Sequence, residues 1–229
     1  MQPRRTCLLF ILLLFFLVPV AQNKPSFVAL RGGLSLPAGG YRSHDLAGGS
    51  FAVAGFNVTL EGAWFFMPWL GVGGSAGLNF HPVDAASLAT ETLRHDPFMN
   101  SLTVRSDAYR VITFMAGPFV QYDLKGDFSL TGRLLGGAIE AETPYQLYKT
   151  DYFMIGPYWY EITRARDWEP SFMAGAGVKY RVMSCLALTL NADFTYNRCE
   201  FGFYTYNGLE TVHHRIVFVN TTLGISIEL

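Results

Sequence analysis

Residues 217–229 read Val217-Phe-Val-Asn-Thr-Thr-Leu-Gly-Ile-Ser-Ile-Glu-Leu229, and their alternation decides the fold. The odd positions Val217, Val219, Thr221, Leu223, Ile225, Ile227 and Leu229 are almost all apolar. The even positions Phe218, Asn220, Thr222, Gly224, Ser226 and Glu228 are mostly polar or small. A repeat of two is the spacing of a β-strand, because successive side chains point to opposite faces; a helix would scatter both sets around its circumference. The same pattern recurs in the preceding segments, with Leu186, Leu188, Leu190, Phe194 and Tyr196 against Thr189, Asn191, Asp193 and Asn197. Before that, Phe172, Ala174, Ala176, Val178, Tyr180 and Val182 oppose Met173, Gly175, Gly177, Lys179 and Arg181. Five earlier strands are predicted at about Ser26–Leu36, Phe51–Phe66, Leu70–Phe80, Tyr109–Leu124 and Phe128–Glu140.

The connections carry a second signal. Met67-Pro68-Trp69, Lys125-Gly126-Asp127 and Met183-Ser184-Cys185 are tight turns, and they alternate with long links at about Pro37–Ser50, His81–Ala108, Ala141–Pro170 and Arg198–His214. Short turns at one end and long loops at the other are the habit of outer-membrane barrels. The reading is therefore all-β: one closed, antiparallel, up-and-down transmembrane β-barrel of about eight strands.

Composition and the N-terminus agree. Met1-Gln-Pro-Arg-Arg5 is basic, Leu8–Val18 is an unbroken apolar run, and Pro19-Val-Ala21 offers a breaker and a small residue. The run is too short to span a bilayer, so residues 1–21 are read as a cleaved secretory signal peptide and 22–229 as the barrel domain. Hydrophobic residues make up 50% of the chain and charged residues only 15%, against about 25% in soluble domains. With a formal net charge of −1, no nucleic-acid surface is expected. Cys185 and Cys199 would bracket one strand and stand too far apart for a disulfide.

Alternation alone does not say which face meets lipid. The polar face is crowded with glycine and carries charges near strand middles, which suits the narrow interior of an eight-stranded barrel. A soluble lipocalin-like barrel would bury the Leu/Val/Phe face instead and wear more charge outside. Aromatics at the predicted strand ends, Trp64, Phe65, Phe66, Trp69, Tyr122, Phe128 and Tyr180 on the turn side and Phe80, Phe194 and Tyr196 on the loop side, suggest interfacial girdles.

On these residues the chain resembles the small, eight-stranded bacterial outer-membrane β-barrels, similar to the membrane domain of outer-membrane protein A. The most specific element is Thr222-Leu-Gly224-Ile-Ser-Ile227-Glu-Leu229, which looks like that family's C-terminal assembly signal, with Leu229 where the family usually ends in an aromatic. The resemblance implies a bacterial outer-membrane location, contact with membrane lipid, and engagement of the barrel assembly machinery through Gly224, Ile227 and Leu229.

Chemistry is sparse. His81 with Ser75 and Glu61 is the only nucleophile–base–acid set that can be assembled, and its predicted geometry is poor. His213 and His214 point to opposite faces of a strand, so they cannot readily share an ion. No cofactor, metal or catalytic residue is expected. Asn57 and Asn220 begin glycosylation-like triplets but fall in strands. The constellation with physical content is the set of lumen charges: Arg31, Arg133, Lys179 and Arg181 against Glu61, Asp123, Asp193 and Glu228, expected to pair and close the lumen because unpaired charge there is expensive. A loop binding surface for an extracellular glycan, lipid headgroup or protein is expected at Tyr145, Tyr148, Tyr152, Tyr158, Trp159, Tyr160, Arg164, Arg166 and Trp168, since aromatics and Arg dominate interaction hot spots. The expected role is structural or surface-interacting, with a lipid-modifying enzyme, a narrow solute channel and a soluble lipocalin-like periplasmic binding protein as alternatives.

Overall fold

The computed structural model describes residues 26–153, 155–205 and 208–229, with the side chains of 201–214 outside the description. The expected signal peptide and the His213–His214 side chains therefore fall outside it. Eight long strands form the wall: β1 (Phe27–Ala38), β2 (Gly55–Phe65), β3 (Leu70–His81), β5 (Tyr109–Asp123), β6 (Phe128–Glu142), β9 (Arg166–Met183), β10 (Leu186–Thr205) and β11 (Gly208–Glu228). Each pairs antiparallel with the next, and β11 returns to β1 from Phe27↔Glu228 to Ala38↔Val217, closing the barrel. Closure leaves every wall strand two partners over the membrane-crossing stretch, which a sheet in hydrocarbon requires.

The alternation sorts the two faces as expected. Leu30, Leu34, Val58, Leu60, Leu188, Leu190, Leu223, Ile225 and Ile227 stand exposed on the outside. Arg31, Asn57, Glu61, Arg133, Lys179, Asp193 and Asn220 are buried inside. A surface apolar outside and polar inside is the inverse of a soluble barrel and matches a wall facing lipid. Trp64, Trp69, Tyr122, Phe128 and Tyr180 form the turn-side girdle. Phe65 does not belong to it: it is buried in the lumen floor, one register step from the outward Trp64.

Four features correct the sequence reading at the loop end. The strand expected from Phe51 begins only at Gly55, because residues 39–54 fold over the barrel mouth. The link His81–Ala108 is not irregular; it holds helix α1 (Ala85–His95) and strand β4 (Met99–Ser106). Ala141–Pro170 is mostly strand too: β6 runs on to Glu142, β7 (Gln146–Tyr152) and β8 (Gly156–Ile162) follow, and β9 begins at Arg166. Likewise β10 and β11 continue well past Arg198 and His214. Strands β4, β7 and β8 form a separate three-stranded sheet in that order. They continue β5, β6 and β9 beyond kinks at 107–108, 143–145 and 163–165, where Asp107 N–H donates to Tyr145 C=O and Thr143 N–H to Ala165 C=O, both at 2.9 Å.

Candidate functional site

Half-way up the lumen four charged side chains from four strands meet. Arg31 donates to Glu61 at 2.7 Å and to Asp193 at 2.8 Å. Arg133 donates through Nε to the other oxygen of Asp193 at 2.8 Å, and through Nη1 to Glu61 at 3.4 Å and to Asn191 Oδ1 at 3.2 Å. Two guanidinium forks thus interleave with two carboxylates, and all four side chains are almost wholly shielded from solvent. Glycine makes the space. A Cβ at Gly175 would lie 2.0 Å from Asp193 Oδ1, and one at Gly177 would lie 2.1 Å from Asn191 Oδ1. Gly224, expected as part of the assembly signal, faces inward, where a Cβ would meet Arg31 Cγ at 2.5 Å.

Nearer the turn end, Lys179 and Arg181 share Glu228, at 3.0 and 3.3 Å. Lys179 also sits over the Phe27 ring at 4.8 Å, and Phe27 packs on Phe65 and Phe119. Asp123 stands apart from the ion pairs: its carboxylate accepts from Gln121 and Ser129 instead.

Above the charges lies an amide layer, with Asn57 and Asn220 both donating to Asn79 Oδ1 at 2.8 and 3.0 Å. Above that the lumen is closed by Tyr41, Val111, Ile139, Cys199, Ile216 and Phe218, all buried. Tyr41 enters from the 3-10 turn Gly39–Tyr41 over the mouth. His81, expected at a loop edge beside Ser75 and Glu61, is instead the last residue of β3 and faces inward. Its Nε2 lies 2.7 Å from Ser35 Oγ and its Nδ1 3.2 Å from the Tyr41 hydroxyl. Glu61 is committed to the arginines, and no spacing along the chain signals Ser35 or Tyr41, which lie 46 and 40 positions away. Cys199 and Cys185 are free thiols, the first buried and the second exposed.

The expected loop aromatics are divided by the sheet β4–β7–β8. Its inner face packs on α1: Phe51, Leu88, Met99, Leu102, Val104 and Tyr148 form a second core, bordered by Tyr152 and Tyr160. Tyr148 stacks on Tyr160 at 4.6 Å between centroids, and burial pushes both phenols above the usual tyrosine range. The outer face carries Trp159 with Lys149 over its ring at 5.0 Å, and Tyr145 donates to Glu161. Tyr158 and Trp159 are more than half exposed. At the tip Phe98, Phe153 and Ile155 are 72%, 78% and 81% exposed. Arg166 and Trp168 are wall residues of β9, not loop: Trp168 stacks on Phe114 at 6.1 Å, and Arg166 pairs with Glu142 at 3.0 Å. Arg164 pairs with Asp107 at 2.6 Å. Among the described residues no cluster of metal-ligating side chains occurs.

With the register closed, the lumen filled and the apolar face outward, the architecture is settled. The chain is an eight-stranded transmembrane β-barrel of the outer-membrane type. No family model matches it. No curated protein matches it. Solved structures similar to it include Neisserial surface protein A, at 9% identity over 89% of this chain and 97% of that one, with a TM-score of 0.49. OprG from Pseudomonas aeruginosa is 11% identical over 90% and 97%, TM-score 0.46. Ail, the attachment invasion locus protein of Yersinia pestis, is 15% identical over 91% and 100%, TM-score 0.43. The assignment itself rests on the closure, register and polarity of the barrel's own strands.

Proposed function

We propose that this protein is a non-conducting bacterial outer-membrane barrel whose business is binding through the lobe of β4, β7, β8 and α1, displayed on the extracellular side. The observation that carries this reading is the division of the lobe: it has its own core, yet leaves Tyr158, Trp159, Phe98, Phe153 and Ile155 open at its face and tip. Rigid aromatic side chains presented on strands are the usual anchors of a recognition surface. The filled lumen supports a plug, since among the described residues the charge cluster, amide layer and Tyr41 cap stack as successive buried layers across it. Residues 1–21 are proposed as the export signal, and the C-terminal strand, with Ile227 and Leu229 outward, as the segment the assembly machinery engages.

Two measurements test the reading. Planar-bilayer recording of the refolded barrel is expected to show no steady conductance, and a persistent open level would replace the plug with a channel. Proteoliposomes are expected to adhere to at least one member of a panel of immobilised glycans and proteins, and to lose that adhesion with Trp159→Ala and Phe153→Ala.

One observation favours an enzymatic second reading: the 2.7 Å approach of His81 to Ser35 is a nucleophile–base distance. Both side chains are wholly buried beneath Tyr41, and among the described residues no carboxylate orients the imidazole. Phospholipid hydrolysis abolished by Ser35→Ala would establish that reading.

A further inference from the structure

Arg198 and Arg215 are direct cross-strand partners on β10 and β11. Their neighbours Asn197, Cys199 and Ile216 point into the barrel, so both guanidiniums point outward, and both are exposed. Like charges opposite one another weaken a strand pair. Three arginines near the base of the lobe are compensated by contrast: Arg110 and Arg166 by Glu142, and Arg164 by Asp107. Among the described residues neither Arg198 nor Arg215 forms an ion pair. Arg198 Nε donates to the Tyr196 hydroxyl at 3.0 Å, which steers its fork along the wall.

Depth identifies what compensates them. Arg198 stands twelve positions above Leu186 at the turn end. At a strand tilt of about 40° each residue climbs roughly 2.5 Å, which puts the pair about 30 Å up. The apolar band of such barrels is about 25 Å tall. Tyr196, two positions below, and the stacked Phe56–Phe80 pair mark its upper edge. The two guanidiniums therefore lie at headgroup depth, where the chemistry available to bridge them is phosphate, the anion a planar fork binds in bidentate fashion.

We propose that Arg198 and Arg215 clamp the phosphate of an outer-leaflet lipid headgroup. The proposal rests on the loop end facing outward, as in the function proposed above. The probe is a diphosphorylated disaccharide lipid (lipid A) doped into neutral phosphatidylcholine nanodiscs holding the refolded protein, with retained lipid counted by native mass spectrometry. Wild type is expected to retain the probe, and the double variant Arg198→Gln/Arg215→Gln to lose it about tenfold. Arg105→Gln, an exposed charge on the lobe, is expected to change nothing, and Arg198→Lys/Arg215→Lys to retain part of the binding.

A heat-shifted gel band for each variant separates failure of this site from failure of the barrel reading. In neutral nanodiscs the Gln double variant is expected to melt close to wild type, since relief of the like-charge repulsion offsets the lost Arg198–Tyr196 hydrogen bond, while losing the upward shift in Tm that the probe confers. Equal retention by the Gln double variant overturns the proposal. So does displacement of the probe by millimolar inorganic phosphate, which would make the pair a site for the free anion.

Discussion

At the scale of single residues, the lumen is a problem in compensation. Asp193 accepts from both Arg31 and Arg133, so Asp193→Ala would leave two buried guanidiniums sharing Glu61. Removing one partner of a buried pair costs about 3–5 kcal/mol, and urea unfolding in detergent is expected to report a loss in that range. Gly175 is small because the Arg133–Asp193 contact occupies the place of its side chain. Gly175→Ala is expected to cost about 1–3 kcal/mol by overpacking, measured the same way, whereas Gly126→Ala would act only through the positive φ of its turn. Seven of the eight lumen charges expected from the sequence form ion pairs in the structure. Asp123 does not, because hydrogen bonding to Gln121 and Ser129 two and six residues away is a local choice that charge counting does not register.

At the scale of elements, the lobe shows where strand periodicity misleads by its absence. Helix α1 was not expected, although its start is written in the sequence: Asp84 caps it by accepting from Ser87 N–H at 3.0 Å, and Ala, Leu, Thr and Glu follow. That hydrogen bond holds the Asp84 carboxyl below the usual range. A depressed carboxyl pKa stabilises above the unfolded value near 4 and loses its contribution as pH falls below it. Asp84→Ala is therefore expected to speed amide exchange in α1, by the ~1 kcal/mol of a cap, at pH 7 and progressively less as pH falls below about 4 through the depressed carboxyl value. The tyrosines run the other way. Burial raises Tyr148 and Tyr160, so their contribution is intact below pH ~10 and fades as pH rises above it. Alkaline titration followed by near-UV circular dichroism is expected to melt the lobe while the barrel's heat-shifted band persists. Strands β7 and β8 were hidden in the sequence because their alternation is aromatic on both faces, Tyr148 and Tyr160 inward and Trp159 outward.

At the scale of the whole molecule, the barrel and lobe differ in what holds them. The barrel is closed by register over eight strands, and its outer face needs lipid; the lobe is closed by a small core of its own. Phe51→Ala, which empties that core from the mouth-covering loop, is expected to loosen the lobe by about 3–5 kcal/mol without opening the wall. Hydrogen exchange resolved by segment would show the change confined to α1, β4, β7 and β8.

By itself the sequence determined the number of wall strands, the turn and loop ends, and which face meets lipid, because these depend on local alternation and composition, which each segment carries within itself. Only the tertiary structure decided that Ser35, Tyr41 and His81 meet, that Arg166 and Trp168 belong to the wall, and that Arg198 faces Arg215. Those juxtapositions depend on strand register and on loops folding back over the mouth, and no spacing along the chain encodes a contact made across it.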